Sequence, residues 1–126
     1  MTAEEAAWRP APGRHNIWEL VVHAAYWKYV VWRRLTGEKR GSFELEGSNF
    51  FARPQGSVDE AAWRSDIELL GRTHKTLRET IASMNPSALH RAGRGSKATN
   101  FFMISGIAAH DLYHAGQIQL LKRLRA

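Results

Sequence analysis

Three stretches of the chain repeat apolar residues at intervals of three and four, the spacing that lines up one side of a helix. The first runs from Asn16 to Leu35. Asn16 followed by Glu19 forms a capping box at its start, and Thr36-Gly37 supplies the glycine that suits the left-handed residue after a helix. Around this helix Trp18, Val21, Val22, Ala25, Tyr29 and Trp32 point away from His23, while Leu20 and Trp27 flank it. A helix that is apolar all round has to be covered on every side. The second stretch follows Ser57-Val-Asp-Glu60, read as another capping box, and reaches Met84 before Asn85-Pro86. Its Trp63, Ile67, Leu70, Leu77, Ile81 and Met84, with His74 filling one gap, keep the alternating four-and-three rhythm of a bundle helix. The third begins at Thr99 or Asn100 and continues nearly to the end. These elements predict one all-α domain over residues 1–126.

The connections differ in kind. Gly37 to Gly56 has no helical period and is too long for an ordinary helix–helix link. Its Phe43, Asn49, Phe50, Phe51 and Arg53 either fold over a neighbouring site as a lid or pin the loop to the surface. Asn85 to Ala98 is rich in Gly, Arg and Ser, and flexibility is its expected property.

Composition narrows the function classes. With 44% hydrophobic residues and five Trp in 126 residues, the chain has the material for a core. It has no cysteine, which removes disulfides, thiolate ligands and a cysteine nucleophile. No stretch reaches the ~18–20 apolar residues of a membrane span, and the N-terminus lacks the basic-then-apolar order of a signal peptide. No membrane association and a cytoplasmic location are therefore expected. Eighteen Lys and Arg against twelve Asp and Glu give a formal charge of +6, enough to attract nucleic acid or a small anion. Arg33 and Arg34, and Lys122, Arg123 and Arg125, however, stand where cations complement the end of a helix dipole. No nucleic-acid motif accompanies them, and that function class ranks last.

The chemistry concentrates in histidines. His110 and His114 are one helical turn apart, with Cβ atoms roughly 5–6 Å from each other. They share a stripe with Met103, Ile107, Ile118 and Leu121. Burying an imidazole without a polar partner costs about 1–3 kcal/mol, so a cation or a polar pocket has to face this pair. His23 also points inward, from the first long helix. Three inward histidines from two helices fit a mononuclear metal site with one position left for water. The glutamate that follows the first histidine of a metalloprotease helix is absent. Glu19 and His74 are candidates for a fourth ligand or a proton acceptor, each with a competing structural role. Gln117, which shares the ligands' face, and Asp111, about 100° from His110, are candidates for orienting the imidazoles. Tyr26 and Trp27 are either pocket walls or core aromatics, and His90 lies in a loop away from the core.

The segments Gly13–Trp27 (GRHNIWELVVHAAYW) and Gly106–Ile118 (GIAAHDLYHAGQI), with Gly47–Pro54 (GSNFFARP) and Ala62-Trp63 between them, resemble the DinB-like (YfiT-like) family of metal-binding helical bundles over nearly the whole chain. The resemblance implies an up-and-down four-helix bundle whose first helix is largely missing here, Met1–Trp8 being its tail and Arg9–Gly13 the linker after it. It also implies a divalent metal ion, zinc or nickel, held by His23, His110 and His114. Some members of the family transfer low-molecular-weight thiols to electrophiles, or are thiol-dependent isomerases. The expected function is therefore a metal-dependent thiol (S-) transferase acting on a small-molecule electrophile, the alternative being a non-catalytic metal-binding stress-response protein. A bundle short of a helix exposes apolar surface, so a homodimer is expected, with Trp18, Tyr29 and Trp32 and the N-terminal segment at its interface.

Overall fold

Asn16 starts the principal helix as its sequence dictates. Its side-chain oxygen accepts the Glu19 amide N–H, and the Glu19 carboxylate reaches back to the Asn16 N–H. The computed structural model describes residues 1–93 and 96–126, and its elements are α1 (Ala3–Ala7), α2 (Ile17–Thr36), α3 (Glu60–Ser83), a 3₁₀ turn (Pro86–His90) and α4 (Asn100–Arg125). Gly37, at φ +76°, closes α2 in the left-handed conformation and donates its N–H to the Arg33 carbonyl. Thr99 caps α4 by accepting the Phe102 N–H. At α3 the cap is Asp59 rather than Ser57, because the Asp59 carboxylate accepts the Ala61 N–H. The short α1 has a capping box of its own, Thr2 with Glu5, and Glu60 also accepts the Ala3 N–H. Among the described residues no helix is long and apolar enough to cross a membrane.

Among the described residues of the connection Asn85–Ala98, several are tied down by hydrogen bonds that its composition does not predict. Asn85 caps the 3₁₀ turn, the Asn100 side chain donates to the Ala88 carbonyl, and Ala92 pairs with Thr99. Arg94 and Gly95, in the middle of the stretch expected to be flexible, lie outside the described residues.

Helix α2 is the axis of the core. α1, α3 and α4 all pack on it, while the backbones of α3 and α4 do not approach one another. One cluster gathers Trp18, Val22, Phe51, Trp63 and Leu121 with Ala3 and Ala6, and a second joins Val31, Leu77, Met103 and Ile107. The outer side of α2, from whose area a second subunit is expected, is covered in large part by the chain itself. Phe43 and Phe51 of the long loop pack on Tyr26, and Phe43 also meets Tyr29, whose hydroxyl accepts the Ser42 N–H. Tyr29 is consequently buried, Trp18 is buried against Trp63 of α3, and Trp32 is half-buried.

The phase of α3 also departs from the apolar rhythm. Ile67 and His74 face solvent, whereas Leu69 and Asp66 turn inward. The cause is polar. Asp66 accepts the Trp18 indole N–H at 2.6 Å and the Arg53 Nε–H at 2.8 Å, with both charged residues buried. The Arg53 backbone N–H donates to Glu19, and its carbonyl accepts from Asn16 and Arg9. This network ties the N-terminal linker, α2, the long loop and α3 into one unit. Removing one partner of a buried ion pair strands the other charge and costs about 3–5 kcal/mol. Asp66→Ala should lose about that much in urea denaturation, against ~1 kcal/mol for removing the exposed cap in Asp59→Ala. Equal losses in the two variants would refute the buried network as the organiser of α3.

Candidate metal centre

The middle of α2 delivers His23 and the middle of α4 delivers His110 and His114 to one point. The three Nε2 atoms converge, with His23 to His110 at 3.0 Å and His110 to His114 at 3.1 Å. One ligand atom from each ring lies within 4.8 Å of the others. His23 and His114 are buried and His110 is half-buried.

The proton inventory explains what such a cluster needs. The Nδ1 of His23 lies 2.9 Å from the Asn49 carbonyl oxygen, which can only accept, so Nδ1 carries the proton and Nε2 a bare lone pair. His114 Nδ1 lies 2.6 Å from Gln117 Oε1, and the same assignment follows. His110 Nε2 can donate one proton to only one of these two acceptors. Its own Nδ1 is buried with no partner. Three imidazole nitrogens thus converge with more lone pairs than protons, a donor set that fits a divalent cation.

Two residues of the long loop complete the enclosure. Asn49 occupies the left-handed region at φ +68°, a conformation asparagine tolerates better than most residues. This turns its carbonyl onto His23 while its side-chain oxygen accepts the Trp27 indole N–H at 2.9 Å. Phe50 stacks flat on the His23 ring at 3.9 Å, and His15 stacks on the other face of Phe50 at 3.8 Å. Trp27 presents an edge-on contact to both His23 and His110. Beside His23 and His114 opens a cavity of about 580 Å³, walled by Leu20, Phe50, Tyr113, Leu120, Leu121 and Leu124, with Arg14, His15 and Gln117 among its polar lining.

The other candidates sort by what they touch. Gln117 orients His114, as its position on the shared face predicts. Asp111 instead pairs with the buried Lys28, and Glu19 is occupied by Arg9, Asn16 and the Arg53 N–H. Neither belongs to the histidine cluster. His74 is exposed on α3 and His90 on the 3₁₀ turn. Tyr26 packs among loop aromatics, away from the cluster, while Trp27 adjoins it. The loop reaches the site only through Asn49 and Phe50. Phe43, Phe51 and Arg53 serve the core, so of the two roles open to the loop the aromatic pinning is the one seen, with a clamp on one imidazole added by Asn49 and Phe50. Nothing in residue spacing distinguishes Asn49 from the loop's other polar residues, because its role depends on a backbone carbonyl.

Burial pushes His23 down from the ordinary 6.5 to about 4, with His114 and His110 adding to the effect and the Asn49 hydrogen bond opposing it. His110 is lowered for the same leading reason. The folded protein therefore binds fewer protons than the unfolded chain, and stability present above pH 6.5 declines as pH falls through that value towards 4. Metal-free protein should show its urea midpoint dropping across this window, and metal content should fall across it as protons compete for the lone pairs. Metal retained in full at pH 4 would point to carboxylate ligands instead.

Comparison with curated proteins and with solved structures returned no match. A family model described as the DinB superfamily matches residues 1–118, a span that contains all three convergent histidines and the loop that clamps one of them. The chain belongs to the DinB superfamily.

Proposed function

We propose that the chain is a metal-dependent thiol transferase acting on a small electrophile. The observation that carries this reading is the convergence of three imidazole nitrogens, with fewer protons than lone pairs among them, at one side of an apolar cavity. His23, His110 and His114 would hold the ion, zinc or nickel. An ion held by neutral ligands keeps its charge and lowers the pKa of a thiol or water bound to it. Because the chain has no cysteine, the sulfur nucleophile has to come from a low-molecular-weight thiol. Asn49 and Gln117 keep the imidazoles in the tautomer that presents Nε2. The leucine-lined cavity takes the apolar body of the electrophile and excludes water. Tyr113 already accepts the Gln117 side-chain N–H at 3.1 Å, which leaves its O–H to donate to an oxygen of the electrophile.

Protein loaded with zinc or nickel should accelerate the loss of free thiol in the presence of a chloronitroaromatic electrophile. His110→Ala should lose both metal affinity and activity. Tyr113→Phe should keep its metal and lose roughly 10-fold or more in rate, the scale of a positioned hydrogen-bond donor or proton donor. Metal binding without turnover over a panel of thiols and electrophiles would instead favour the non-catalytic metal-binding role.

We further propose that the protein acts as a homodimer, with the interface on α4 rather than α2. Between Asn100 and Leu121, Asp111 is the only charged residue of α4. The helix packs on α2 yet leaves Phe101, Phe102 and Leu112, which lie outside the lining of the cavity beside the histidines, more than half exposed. Exposed large apolar residues of this kind are characteristic of association sites. Light scattering should give twice the chain mass, and Phe101→Lys with Leu112→Lys should return it to one. A stable monomer from the unaltered chain would dispose of the dimer.

A further inference from the structure

We propose that a second cleft, separate from the cavity beside the histidines, binds a small aromatic ligand carrying a phosphate-like anion, of the size and chemistry of a nucleoside monophosphate. The cleft lies between the C-terminal half of α2 and residues 40–48 and has a volume of about 570 Å³, within the range of small-molecule sites. It shares no lining residue with the cavity beside the histidines.

Three arginines reach it. Arg33 and Arg34 come from the last turn of α2, where the helix dipole favours cations. That accounts for two charges on α2 but not for Arg40, which arrives from the loop. Arg9, Arg53, Arg72 and Arg125 each pair with a carboxylate. Among the described residues, Arg33, Arg34 and Arg40 make no such pair, and neither do Arg14, Arg64, Arg78, Arg91 and Arg123, but it is Arg33, Arg34 and Arg40 that gather along one cleft, which Glu46 also lines. Like-charged guanidinium groups gathered in one cleft repel each other, and an anion relieves that repulsion. The planar fork of arginine matches phosphate oxygens two at a time.

The remaining lining supplies the rest of the ligand's description. Trp27 and Phe43 give the cleft aromatic walls, on which a flat ring can stack. Glu46 is left to accept hydrogen bonds from hydroxyl or amino groups, which a nucleoside has and a bare phosphate lacks. Ring, hydroxyls and dianion together therefore match the lining better than any one of them alone.

The test is isothermal titration calorimetry on metal-free protein with AMP, adenosine and inorganic phosphate as separate probes. AMP should bind saturably and ~10-fold or more tighter than adenosine or phosphate, a difference of about 1.4 kcal/mol or more. The double variant Arg33→Ala/Arg40→Ala, checked for unchanged helicity, should weaken AMP ~10-fold or more. The His110→Ala protein should bind AMP as the unaltered chain does. Absence of saturable binding up to millimolar AMP, or equal affinity in the arginine variant, overturns the proposal. So does loss of binding in His110→Ala, which would put the ligand at the histidines, or phosphate binding as tightly as AMP, which would remove the role of the aromatic walls.

Discussion

A helix with no polar face has to be wrapped, and α2 is such a helix. From Ile17 to Val31 it carries one apolar residue after another, and every other part of the chain is placed by the need to keep that surface from water. α1 and Phe51 close one end with Trp63 and Leu121, and Leu77, Met103 and Ile107 close the other. The loop of residues 37–56 covers what the helices leave open. Its length follows from this task, since a short link between α2 and α3 would leave Tyr26 and Tyr29 without Phe43.

The polar groups on this apolar axis are then constrained to be paired. Asn16, Glu19, His23 and Lys28 are all buried on α2. Glu19 is met by Arg9 and the Arg53 N–H, Lys28 by Asp111, and Asn16 by backbone carbonyls of α1 and the loop. His23 differs from the rest because its partners are two more imidazoles, which offer the same lone pair it does. A buried polar group normally meets its complement. Here the single proton of His110 Nε2 can meet only one of the two lone pairs facing it, so the protein's own atoms leave the cluster short of a donor, and this distinguishes a ligand-binding histidine cluster from a structural hydrogen-bond network.

Much of this was legible in the sequence, because it depends on local spacing. The Asn16–Glu19 cap, the Gly37 stop and the i, i+4 histidines are all written within one or two helical turns, and the inward direction of His23 follows from its neighbours. The parts that escaped depend on distant partners. The apolar rhythm of α3 puts Ile67 inside, yet Asp66 takes the inward place because Arg53 and Trp18, far off in sequence, supply its hydrogen bonds. Asp59 displaces Ser57 as the cap of α3. The need for a second subunit around α2 was an argument of area that left the folded loop out, and no periodicity shows where a loop without secondary structure will lie. Asn49 acts through its carbonyl, a group every residue possesses.

The attachment of α4 has a consequence for how long the protein survives in a cell. Among the helices the backbone of α4 rests on that of α2, whereas it meets α3 through side chains alone, Met103 and Ile107 against Leu77, and the histidine cluster takes one ring from α2 and two from α4. An ion shared by these rings would therefore fasten the C-terminal helix to the rest of the molecule. Each tenfold rise of free metal above the dissociation constant adds ~1.4 kcal/mol to the docked form. Under metal starvation the same helix would be the first to detach, presenting Met103, Ile107 and Leu121, which docking buries, to proteases. The abundance of the chain would then track the supply of metal.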